Sequence, residues 1–183
     1  MASLSLVSNN NCSVISLTVS GDGYASWLNS TVNFYQNNFT TATASISLAT
    51  LAGESYQINL TPELAGVSNL NGVWRIEVIP PAGSDLNPLE YNSTLANTAG
   101  IVMSCSIDCC IAKKMNTYLT GSNCNCKSGC SNDKKLIEMS KIFLLLKAAE
   151  ADVALNNFQG AYDKYSKAST ICNTTSATCG CNC

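Results

Sequence analysis

Histidine is absent from the 183 residues, and charge is scarce. Without an imidazole, Ser-His-Asp and Cys-His catalysis are excluded, and a metal would have to be held by thiolates, alone or with carboxylates. Charged residues make up 12% of the chain, about half the usual share, and Asn, Ser and Thr take their places. Arg75 is the sole arginine and the sole base before residue 105, set there against six acids, whereas residues 105–183 hold nine lysines against six acids. A net +3 spread over helices is too dilute for a nucleic-acid footprint, so no nucleic-acid partner is expected. No run of about 18 apolar residues is present, so no membrane span is expected. The N-terminal MASLSLVSNNNC lacks the basic start and apolar centre of a secretory signal, and synthesis in the cytoplasm is expected.

What the chain does have is cysteine, and it is unevenly placed. Ten of the eleven fall between Cys105 and Cys183, and Cys12 stands apart with no evident partner. Composition changes at the same point, which predicts two domains, 1–104 and 105–183.

The first predicts an antiparallel β-sandwich of about seven short strands, immunoglobulin-like in spacing but without the Cys and Trp spacing of true immunoglobulin domains. Ile15, Leu17 and Val19 alternate with polar neighbours, as do Tyr56, Ile58 and Leu60. The clearest strand is Val73 to Ile79, with Trp74, Ile76 and Val78 on the core face and Arg75 and Glu77 opposite. Thr31 to Tyr35, Thr40 to Leu51, Leu89 to Leu95 and Ile101 to Ile107 are further predicted strands. Thr61 before Pro62 predicts one capped helical turn.

The second domain predicts three helices, near 108–119, 132–155 and 158–172, giving an α+β protein with a small Cys-stapled helical C-terminus. Ile142 to Leu146 is apolar right round a helix, so burial on all sides is expected, by the other helices, the sandwich or another subunit. The last two helices resemble one tetratricopeptide hairpin, but a single repeat cannot build a solenoid.

An up, down, up order of helices would gather Cys124, Cys126, Cys130 and Cys172 with the tail Cys179, Cys181 and Cys183, and place Cys109 and Cys110 at the far end. Four of the first seven could hold a structural zinc, with Cys109 and Cys110 available for a second site. Disulfides are the alternative, because the spacings are not the common C-x-x-C knuckles and an oxidising medium would pair the thiols. No catalytic residues are expected: Gly21-Asp22-Gly23 is a turn without a following helix, and Asp108, Asp133 and Glu138 sit at helix starts. Tyr24, Trp27, Phe34 and Tyr35 could make a sugar-binding platform, although core aromatics are the commoner use.

Asn10-Asn11-Cys12 entering a Ser/Thr-rich strand, Gly72-Val73-Trp74, Cys105-x-x-x-Cys109-Cys110-Ile111-Ala112-Lys113 and the Cys-rich terminal hairpin together resemble a family of small tailed-bacteriophage virion proteins. The resemblance covers most of the chain. It implies a non-enzymatic structural part of the particle, in neck or tail, present in many copies or as a homo-oligomer and holding other virion proteins or appendages. The shortage of charge departs from that family's pattern. The competing expectation is a surface adhesion module that binds a glycan or host receptor.

Overall fold

The structure, a computed structural model, describes residues 2–8, 12–21, 27–48, 55–81, 98–119 and 132–178. The predicted strand Leu89 to Leu95 lies outside them. The fold is α+β, with two antiparallel sheets followed by helices.

β1 (Ala2–Ser8), β2 (Ile15–Gly21) and β5 (Ser55–Leu60) form one sheet in the order β1-β2-β5. β3 (Thr31–Gln36), β4 (Ala44–Ser47), β6 (Gly72–Ile79) and β7 (Thr98–Met103) form the other in the order β4-β3-β6-β7. Period-two alternation decides what each face meets. Ile15, Leu17 and Val19 of β2, and Ile58 and Leu60 of β5, share one buried cluster with Val32, Phe34, Trp74, Ile76, Val78 and Met103 of the second sheet. Trp74 is at its centre, fully buried, and its indole N–H donates to the Leu70 carbonyl at 2.8 Å. The turn between β5 and β6 is the expected one. α1 (Pro62–Ala65) starts at Thr61, whose side chain accepts from the Leu64 N–H, and stops at Gly66 in the left-handed region, φ 65°.

Two predicted strands are shortened. Of the described part of the stretch from Thr40 to Leu51, residues 40–48, the strand is Ala44–Ser47, and β7 ends at Met103. Beyond it Ser104 caps a helix: its carbonyl accepts from the N–H groups of Ile107 and Asp108, and its hydroxyl donates to the Asp108 carboxylate at 2.8 Å. α2 therefore runs Cys105–Leu119, starting before the predicted residue 108.

α3 (Asn132–Ala154) and α4 (Phe158–Thr178) form an antiparallel hairpin. Ile142, Leu146, Ala149 and Val153 of α3 share a second buried cluster with Phe158, Ala161, Tyr165, Ala168 and Cys172 of α4, the alternating steps of three and four that a packed helix pair needs. Val73 of β6 is in this cluster too, so the second sheet is covered on one face by the first sheet and on the other by the helical hairpin. The helices thus form a third layer against a sheet. α2 does not run alongside α4 in the expected up, down, up order; its first two turns abut the later half of α4 through Ile107, Cys110 and Ile111.

Candidate functional site

The described cysteines meet at α2. Cys105, its first residue, pairs with Cys12 in the turn ahead of β2, and Cys110 pairs with Cys172 of α4; both pairs stand in disulfide-bonding positions with Cα atoms 6.2 Å apart. Cys12 therefore has the partner that its isolation in the sequence concealed. The two residues that sequence reasoning put at opposite ends of a bundle, Cys110 and Cys172, are the ones brought together. Helical periodicity gives the face of each helix but not the crossing of one over another, and Cys110 lies on the same face of α2 as the buried Ile107.

Cys109, one residue before Cys110, is exposed and unpaired. Cys124, Cys126, Cys130, Cys179, Cys181 and Cys183 lie outside the described residues. Among the described residues no three histidine, cysteine, aspartate or glutamate side chains come together as a metal site. Cys172 is committed to Cys110 and Cys105 to Cys12, so the arrangement seen is pairwise crosslinking.

The pairs sit among polar contacts that orient α2. The Ser106 N–H donates to the Asn71 side chain at 3.0 Å. Tyr165 of α4, 8% exposed, has Ser106 as a hydrogen-bond partner. Its hydroxyl is pushed above the usual tyrosine value, first by burial and also by the charge of Asp108, with the Ser106 bond opposing.

A second polar cluster lies on the helix side of the second sheet. The Arg75 guanidinium stacks 4.1 Å over the Tyr35 ring, donates to the Phe39 carbonyl at 3.0 Å and stands 3.8 Å from Glu77, which accepts from the Tyr35 hydroxyl at 3.0 Å. Burial, then the Glu77 carboxylate, raises the Tyr35 hydroxyl. The three groups engage one another across adjacent strands, with the buried Arg75 Nε left without a hydrogen-bond partner, and their arrangement is that of a structural network. Trp27, Phe34 and Tyr35 are all buried, so these aromatics do not present the stacking surface that sugar binding needs; Tyr24 lies outside the described residues. An open groove of about 500 Å³ runs along β7 against α3, lined by Gly100, Ile101, Val102, Glu150 and Val153 among others. Its one carboxylate, Glu150, is paired with Lys147 at 2.7 Å.

The apolar centre of α3 is divided. Ile142 and Leu146 are buried, whereas Phe143 is 54% and Leu144 65% exposed. With Leu136 and Ile137, about half exposed and two turns earlier, they leave a row of large apolar side chains facing out. Among the described residues, the chain's own cover for this run falls on the side of Ile142 and Leu146. No described helix is long and apolar enough to cross a membrane. No protein-family model matches the chain, and no curated protein sequence matches it significantly.

Proposed function

We propose that this chain is a non-enzymatic structural or assembly protein of a tailed-bacteriophage particle, a neck or tail component that holds other virion proteins in place. The carrying observation is the outward row of Leu136, Ile137, Phe143 and Leu144, which a solitary protein would expose to water and an assembled one would cover. The sequence resemblance supplies the kind of particle. In this reading the two sheets form an immunoglobulin-like sandwich, the helices form a stapled contact unit, and the staples are disulfides closed after the chain leaves the reducing cytoplasm. A weakly charged, amide- and hydroxyl-rich surface suits burial against neighbours, since it costs less to desolvate than one carrying many ions.

Two measurements test the proposal. Peptide mass spectrometry of purified particles should find the chain in multiple copies; its absence from them would reject the virion reading. In the full-length protein, Phe143→Ser with Leu144→Ser should abolish association with its neighbours or with itself in sedimentation, while shifting the unfolding midpoint little, because both side chains already contact water. Unchanged association would remove α3 as the contact.

A further inference from the structure

We infer that the outward face of α3 pairs with the same face of a second copy of this chain, running antiparallel to it about a two-fold axis. The inference rests on the reading of that face as an assembly contact and names its first occupant. Ile137, Lys141, Leu144, Ala148, Ala151 and Leu155 are separated by four, three, four, three and four residues, the step pattern of a coiled-coil seam. All six are exposed except Ala148, which is partly so. They lie opposite the side of α3 that Ile142, Leu146, Ala149 and Val153 bury in the chain's own core. The Leu155 N–H donates to the Ala151 carbonyl at 3.2 Å, so the helical path continues to the last of them and the seam is about 27 Å long.

Side-chain size and charge choose the direction. In a parallel pair equivalent residues face one another, which sets Lys141 against Lys141 and Ala148 against Ala148, a repulsion and a hollow. An antiparallel pair sets Ile137 against Leu155 of the second copy, Leu144 against Ala148 of the second copy and Lys141 against Ala151 of the second copy, so every large side chain meets an apolar or small one. There the Lys141 ammonium comes within reach of Asp152 of the second copy, one residue on from that Ala151. Asp152 already accepts from Lys164, and a carboxylate has room for a second donor. Glu138 lies on the same edge as Lys141, so each end of the seam brings together two ammonium groups and two carboxylates. On the other edge the two Lys147 side chains meet near the axis, each held to its own Glu150 at 2.7 Å, and neither edge carries net charge. Leu136 and Phe143 fall beside the seam and stay open to other components of the assembly.

The test uses the full chain with its free thiols alkylated. Sedimentation equilibrium should show dimers, and Leu144→Ala and Ala148→Leu should each weaken association at least about tenfold, the first by leaving a gap and the second by a clash. Made together, the two substitutions exchange knob and hole across the axis and should return the dissociation constant to within about threefold of wild type, with the circular dichroism of all three variants unchanged. Carbodiimide coupling gives a second readout that needs no variant. Lys141 and Asp152 stand roughly 16.5 Å apart along one α3, too far for a direct amide, so a Lys141–Asp152 cross-link found by peptide mass spectrometry forms only between copies. A wild type that stays monomeric at near-millimolar concentration would overturn the inference, and would leave the presence of the chain in particles to be decided by its own measurement. Dimers that the double substitution fails to rescue, or that give no Lys141–Asp152 link, would overturn it equally.

Discussion

Gly100 fixes how closely the helices approach the sheet. A β-carbon built there would come within 2.5 Å of both Phe158 and Val153 and 3.3 Å of the Trp74 carbonyl. The first two belong to the helix layer and the third to the neighbouring strand, so a methyl group must push the layers apart. Gly100→Ala should therefore destabilise the protein by about 1–3 kcal/mol in chemical denaturation. Tyr165 gives a pH signature. In the unfolded chain a tyrosine ionises near 10, and burial raises that value in the folded protein, so the protonated form favours folding. That contribution is complete below the unfolded value and is lost as pH rises through the folded one. With free thiols alkylated beforehand, the unfolding midpoint should drop above about pH 10, and the drop should be smaller in Tyr165→Phe.

At the scale of elements, the joint between α3 and α4 shows what was legible. Two asparagines divide the work. Asn156 takes the left-handed conformation, φ 58°, that ends α3, and the Asn157 side chain accepts the Gly160 N–H at 3.2 Å to begin α4. Asn157→Ala should cost about 1 kcal/mol of stability, measurable by thermal unfolding. Such signals are local, which is why the Asn-Asn turn, the Thr61-Pro62 turn and the alternation of Val73 to Ile79 could be read from residues alone. The start of α2 was less legible, because Ile101, Val102 and Ile107 are β-branched at both ends of the stretch and the Ser104–Asp108 cap makes the break after Met103. Phe143 and Leu144 show a different limit of the sequence. A five-residue apolar run states that all sides of a helix avoid water, and says nothing about whether the cover comes from the same chain.

For the whole molecule, the missing information was long-range. The pairs Cys12–Cys105 and Cys110–Cys172 span 93 and 62 residues, and no spacing rule connects positions so far apart. The assumed up, down, up helix order instead groups Cys172 with Cys124, Cys126, Cys130, Cys179, Cys181 and Cys183. If closed, the two bonds should each stabilise the fold by roughly 4–5 kcal/mol in the loop-entropy model, and the loops follow one another without overlapping, so their contributions should add. Denaturant unfolding of wild type and of each paired Cys→Ser variant checks this; a double removal much milder than the two single ones combined would show that the loops are coupled.

The consecutive placing of those loops also governs how the chain bears load. With both pairs closed, tension applied outside them reaches Cys12, crosses to Cys105, follows five residues of α2 to Cys110 and crosses again to Cys172. The strands from β2 to β7 and the α3–α4 turn lie inside the closed loops and off that path, whereas β1, ahead of Cys12, stays on it. Some 530 Å of chain, at roughly 3.4 Å per extended residue, is withdrawn from stretching, and the force concentrates on a turn and a half of one helix. A component of an appendage that is pulled in service would then be nearly inextensible when oxidised, and α2 would be the place where it first gives.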